Sequence, residues 1–145
     1  MSELTLDHLL RSTWMAVAKM YNEEASKKGS TMSTGFALLS IDPENGTPST
    51  ALGPKMGMEA TSLSRTLKTM EDKGLIIRKR NPDDGRSVLI HLTDFGLEMR
   101  DFSKEVVFKF DNAIKKNVPK EKLDTFIEVF YMINELISNK KIYNK

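Results

Sequence analysis

The side chains best placed to do chemistry in this 145-residue chain lie between Glu59 and Ser87. Thr61, Ser62, Ser64, Arg65 and Lys68 interleave with Leu63, Leu67 and Met70. At helical spacing the two sets fall on opposite faces. The polar face then offers hydroxyls, a guanidinium and an ammonium, with no carboxylate among them. Arginine can bond a guanine edge in bidentate fashion, hydroxyls can reach bases or phosphates, and lysine neutralises phosphate. Glu59, at the entrance of the segment, either complements the helix dipole or accepts from a base amino group. On a lone helix the same face is simply a solvated one, so its meaning depends on the elements around it.

Other chemistries find little support. The chain has no cysteine, which excludes a disulfide framework, a thiolate metal site and a thiol redox switch. The two histidines, His8 and His91, are far apart, and no close-spaced ligand cluster accompanies either. Ser62 and Ser64 lack a neighbouring histidine, His91 lacks a nucleophile, and there is no glycine-rich phosphate loop or paired-carboxylate motif. The expectation is a protein that is not an enzyme and has neither metal nor cofactor. Charge points elsewhere. The chain carries a net charge of +2, yet eight basic and five acidic residues fall between Lys55 and Ile90, while the remainder holds fourteen and fifteen. Positive charge is concentrated around the polar face, as a polyanionic partner would require.

The elements that must position this face can be read from periodicity and punctuation. Leu6, Leu10, Trp14, Val17 and Tyr21 predict a long helix from about Thr5 to Lys28, stopped by Gly29. A second helix is expected over Thr34–Ile41 with Ser33 as its cap, ending in the turn cluster Asp42-Pro43-Glu44-Asn45-Gly46. Thr47-Pro48 reads as an N-cap and first helical position of a short helix that reaches Met56 and closes at Gly57. The segment with the polar face follows from about Ala60 to Lys73, with Gly74 as its left-handed stop. Strands are expected at Ile76–Arg80 and Arg86–Leu92, joined by the turn residues Asn81-Pro82-Asp83-Asp84-Gly85. Thr93-Asp94 opens a long helix to about Asn117, Val118-Pro119 breaks it, and a last helix covers about Glu121–Asn139.

Two short helices joined by a glycine-containing turn and followed at once by a β-hairpin describe a winged helix-turn-helix. The stretch from Met58 through Arg65 and Lys68 to Gly74-Leu75-Ile76 resembles the recognition helix of the MarR (multiple antibiotic resistance regulator) family and its exit. Asn81-Pro82-Asp83-Asp84-Gly85-Arg86-Ser87, followed by Leu92-Thr93 and Gly96, is similar to that family's wing and the start of its next helix. The resemblance covers nearly the whole of residues 1–145. It implies a mainly α fold with a small β-hairpin wing, in which residues 32–96 form the DNA-binding part and 1–28 and 102–145 are dimerisation helices. It further implies a homodimer with recognition helices in successive major grooves of a pseudo-palindrome. Asp84, Arg86 and Ser87 belong to the wing, and Arg86, held by Asp84, would reach the minor groove, whose narrow A·T-rich form attracts arginine. An Asp84–Arg86 pair that merely ties the hairpin is the alternative. One departure is Gly53-Pro54 inside the first helix of the motif, where proline is expected to kink or restart it.

The terminal helices carry more apolar side chain than a domain of this size readily covers, Trp14, Phe102, Phe110, Phe126 and Phe130 among it. Pairing of two copies covers such stripes; packing within one subunit is the other solution. The combined expectation is a sequence-specific, double-stranded DNA-binding transcriptional regulator, a homodimeric repressor responsive to a small molecule of unknown identity and site. The alternative is a winged-helix protein-interaction module that does not touch DNA, which would present apolar or acidic anchors where this chain presents hydroxyls and cations. No apolar run approaches the roughly 20 residues of a membrane-spanning helix, and Met1-Ser2-Glu3-Leu4 does not read as the start of a secretory signal. A cytoplasmic location is expected.

Overall fold

The computed structural model describes residues 4–83 and 85–143. Its elements run α1 (Leu6–Ser26), α2 (Met32–Ser40), β1 (Thr47–Pro48), α3 (Ser49–Met56), α4 (Ala60–Asp72), β2 (Ile76–Arg80), β3 (Val88–Leu92), α5 (Asp94–Asn117) and α6 (Lys120–Ser138). The architecture is mainly α with one small antiparallel sheet, as the sequence pattern predicts. Two units divide the chain, Met1–Val106 and Val107–Lys145, with α5 beginning in the first and ending in the second.

The first unit holds the core. Leu38 and Ile41 from the end of α2 and Leu52 from α3 meet Leu63, Leu67 and Met70 from α4, Ile76 and Ile90 from the sheet, and Met99 from α5. The apolar stripe of α4 is thus the buried one, and Leu67 retains only 3% of its exposure. Burying each such side chain stabilises the fold by about 1.5–3 kcal/mol. The sheet has the order β1-β3-β2. Ile76 pairs with Leu92 and Arg80 with Val88, while Thr47 pairs with Ile90.

Several boundaries differ from the sequence expectation, each for a physical reason. Thr47-Pro48 does not open α3; it forms β1 on the edge of the sheet. The Thr47 hydroxyl is turned back and accepts from the Asp42 N–H at 2.8 Å, which leaves Pro48 as the capping position and Ser49 as the first helical residue. Proline suits that edge, where it need not donate to a neighbouring strand. Helix α2 starts at Met32 and not Thr34, because the hydroxyl of Thr31 accepts from the Thr34 N–H at 3.2 Å. Strand β3 starts at Val88 and not Arg86.

Gly53-Pro54 does not restart α3, which passes through Pro54 as one helix. The carbonyl that proline cannot bond is that of Thr50, an exposed residue, where water can take the missing donor's place. Gly53 is buried at the turn into α4, and its carbonyl accepts from the N–H groups of Gly57 and Met58. A Cβ at Gly53 would stand 3.1 Å from the Met58 carbonyl oxygen. This glycine sets how closely the two helices of the motif approach.

The start of α5 is fastened to the turn after α4. The Thr93 hydroxyl donates to the Gly74 carbonyl at 2.6 Å and accepts from the Gly96 N–H at 3.0 Å, and the Thr93 N–H donates to the Leu75 carbonyl at 3.0 Å. Gly96 is buried so close to that carbonyl that a built Cβ would overlap the Leu75 oxygen.

In the second unit α5 ends with the Val118 N–H bonded to Ile114, and Pro119 takes the capping position of α6. Phe126 and Phe130 meet edge to face at 4.5 Å between centroids. No residue of α6 is buried, and Phe126, Ile127, Val129, Tyr131 and Met132 stand exposed. In the first unit α1 likewise buries nothing, with Leu6, Leu9, Leu10, Trp14 and Met15 exposed. Among the described residues no helix is long and apolar enough to cross a membrane.

Replacing Gly96 by alanine tests the close approach. In an ordinary helix interior the change stabilises by about 0.5–1 kcal/mol. Here the overlap with Leu75 reverses the sign, and a loss of about 1–3 kcal/mol is expected, read as a lower urea midpoint at unchanged slope.

Candidate nucleic-acid interface

The interface is built on α4 because the core takes that helix's apolar stripe and leaves the opposite side to solvent. Thr61, Ser62, Ser64, Arg65 and Lys68 are all exposed, as are Thr69, Glu71 and Asp72 nearer the C-terminal end. The five residues singled out from the sequence therefore share one open face. Lys68 stands 3.9 Å from Asp72 one turn on, a long and exposed pair that costs little to separate. The Thr69 hydroxyl is engaged with the Arg65 carbonyl at 3.1 Å. Glu59 sits at the capping position in extended backbone and makes no side-chain capping bond. Its carboxylate lies where the helix dipole favours negative charge.

The wing follows directly. Strand β2 exposes Arg78, Lys79 and Arg80 in succession, and Arg78 reaches back to Glu71 of α4 at 3.4 Å, a direct ion pair between the two parts of the interface. Arg86 is exposed in the loop between the strands. Asp84, the residue expected to hold it, lies outside the described residues. Ser87 takes a different position from its neighbours: it is 7% exposed, and its hydroxyl accepts from the buried Asn81 amide at 2.9 Å. The Asn81 carbonyl oxygen in turn accepts from the Asp83 N–H at 3.0 Å, a side-chain-closed turn. Ser87 is thus part of the clasp that shapes the loop, and Asn81 is its other half. Asparagine two residues before an aspartate in a proline-containing turn signals the Asn81–Asp83 bond, whereas nothing local signals the bond to Ser87.

Among the described residues no group of three or more histidine, aspartate or glutamate side chains is arranged to hold a metal ion. A polar helix face, a basic two-stranded wing and a helix fastened behind both define a winged helix-turn-helix protein. A family model described as MarR family matches residues 31–88. The organic hydroperoxide resistance transcriptional regulator of Bacillus subtilis is 31% identical over 104 residues, 72% of this chain and 71% of that one. The chain belongs to the MarR family.

An uncharacterised helix-turn-helix-type regulator of the same bacterium, YdgJ, is 33% identical over 88 residues, 61% of this chain, which spans only 54% of that relative's length. These relatives are named as transcriptional regulators, not enzymes. Among solved structures, the Staphylococcus aureus MepR–DNA complex superposes with a TM-score of 0.83 at 18% identity, covering 92% of this chain and all of that one. At that identity the likeness establishes the fold.

The clasp is testable apart from any ligand. Ser87→Ala leaves the buried Asn81 amide without an acceptor and is expected to cost about 1–3 kcal/mol. Faster amide exchange at Asp83, whose N–H depends on the same asparagine, is the local readout; an unchanged rate would show that the clasp does not hold the loop.

Proposed function

We propose that the chain is a sequence-specific, double-stranded DNA-binding regulator of transcription, acting as a cytoplasmic homodimeric repressor at a pseudo-palindromic operator and answering to a small effector. The observation that carries this reading is the outer face of α4, where Thr61, Ser62, Ser64, Arg65 and Lys68 lie open together on a rigid core, beside a wing of exposed cations. Residues 32–96 are the DNA-reading part. Arg65 reads a base edge, the hydroxyls reach bases or phosphates, Lys68 neutralises phosphate, and Arg86 enters the adjacent minor groove. Ser87, clasped to Asn81, keeps the loop in shape for Arg86.

Residues 1–28 and 102–145 are the dimerisation segments, whose outermost residues, 1–3 and 144–145, lie outside the described ones. Support for pairing comes from α1 and α6, each of which exposes a row of large apolar side chains that a second copy can cover. The relative MepR has been seen with DNA bound, which favours the same partner here. Effector response and repression follow from the family resemblance.

Fluorescence anisotropy on duplexes bearing an inverted repeat, with half-sites about one helical turn apart, tests the reading at two salt concentrations. Tight binding that weakens steeply with salt is expected; absence of salt-sensitive binding to any such duplex overturns it. Arg65→Ala is expected to relax sequence preference and Arg86→Ala to weaken binding, each by about 1–3 kcal/mol where a base is contacted.

A further inference from the structure

We infer that Lys73 is a positioning residue for the recognition helix, tying its C-terminal end to the corner between α1 and α2, and that discrimination among DNA sequences depends on this tie. The inference rests on the DNA-binding reading above. Lys73 is the first residue after α4, and its ammonium donates to the Gly29 carbonyl at 3.0 Å, across 44 positions of sequence. A long, exposed side chain surrenders rotamer freedom to hold one partner. The partner here is the Gly29 carbonyl, three residues past the end of α1 and outside any helical ladder.

The anchor does not move easily. Around Gly29 the Ser30 N–H bonds the Ala25 carbonyl at 3.0 Å, and the Asn22 side-chain oxygen accepts from the Met32 N–H at 2.9 Å, closing the corner onto α2. The Lys28 ammonium lies 5.6 Å from the centre of the Phe102 ring on α5. The corner thus joins three helices, and Lys73 adds the end of a fourth.

Leverage explains why the tie matters for reading. A 13-residue helix is roughly 20 Å long at about 1.5 Å per residue, so a tilt of about 3° at one end shifts the other by about 1 Å. The other end carries Thr61, Ser62 and Ser64, and its capping residue Glu59 makes no capping bond. Direct hydrogen bonds to base edges tolerate little displacement, whereas the attraction of Lys68 to phosphate falls off gently with distance. Loosening the C-terminal end therefore removes specificity before it removes affinity for DNA in general.

A rival role for Lys73 is a phosphate contact of its own, since an ammonium has three donors. Comparing Lys73→Met and Lys73→Arg with Lys68→Met separates the two. Lys73→Met is expected to bind the operator about tenfold more weakly while its affinity for unrelated duplex and its salt slope stay as in the parent, and Lys73→Arg restores binding. Lys68→Met is expected to weaken both duplexes and lower the slope by about one unit per site. Amide exchange of Gly74 and Leu75 in the DNA-free protein is expected to quicken in Lys73→Met. A slope reduced by about one unit in Lys73→Met overturns the inference in favour of a phosphate contact. Unchanged operator affinity and exchange overturn it as an idle contact. Should the parent bind no duplex, the DNA reading fails and takes the specificity claim with it, while the exchange measurement still decides whether Lys73 fixes the helix end.

Discussion

The carbonyls of Gly74 and Leu75, left without helical partners at the exit of α4, accept from Thr93, and on this fastening the rest of the first unit depends. The chain leaving a helix must find donors for carbonyls that no helix pairs, and the next helix must find acceptors for its first N–H groups. Thr93 answers both needs at once, because its hydroxyl also accepts from the Gly96 N–H. The backbone of α5 is drawn so near that only glycine fits at position 96. Helix α4, the wing and the start of α5 consequently share one joint. The direction of the wing relative to α4 is set by backbone hydrogen bonds and does not rely on the exposed ion pair between Arg78 and Glu71, which contributes about 0–1 kcal/mol.

That joint also concentrates the core. Fully buried residues such as Leu38, Ile41, Leu52, Met70, Ile76 and Ile90 all belong to α2, α3, α4 and the sheet or the connections that close them. Helices α1 and α6 bury no residue, although both are apolar along one side. Trp14 keeps half its surface open while stacking on Phe36 at 6.4 Å, and Tyr131 keeps 74%. An amphipathic helix draws most of its stability from the surface its apolar side covers. On the proposed function that cover is a second copy, so the stability of the terminal helices becomes tied to protomer concentration, as is general for obligate dimers.

The sequence revealed what depended on local pattern. Leu63, Leu67 and Met70 recur at helical spacing, and that period alone placed the polar set of α4 outward, because a buried stripe leaves its opposite side no other choice. Gly57 and Gly74 marked helix ends, where both adopt the left-handed backbone that glycine enters without strain. What escaped was set by contacts distant in sequence. Thr47 reads as a cap until strand pairing with Ile90 and the reach back to Asp42 claim it. Ser87 reads as one more hydroxyl on a basic loop until Asn81, six residues away, turns it inward. Proline at position 54 reads as a point of restart because sequence does not show that the orphaned Thr50 carbonyl lies at the surface. At Thr47 and Ser87 a short polar side chain had two plausible partners, and tertiary structure chose the more distant.

On the proposed function, the composition of α4's outer face sets how the protein discriminates among duplexes. Hydroxyls both donate and accept, so Thr61, Ser62 and Ser64 can satisfy several base edges and distinguish them weakly. Arg65 is the one guanidinium on that helix, and a single bidentate contact to guanine supplies about 1–3 kcal/mol of discrimination. The exposed cations of β2 add attraction that any duplex satisfies equally. With few direct contacts, the ratio of specific to general binding rests on how accurately those few are placed and on how the wing senses groove width. Rigidity is then part of specificity. On that reading the Thr93 joint, the Asn81–Ser87 clasp and the Lys73–Gly29 tie, none of which is itself an open reading surface, hold the geometry on which a sparse set of readers depends.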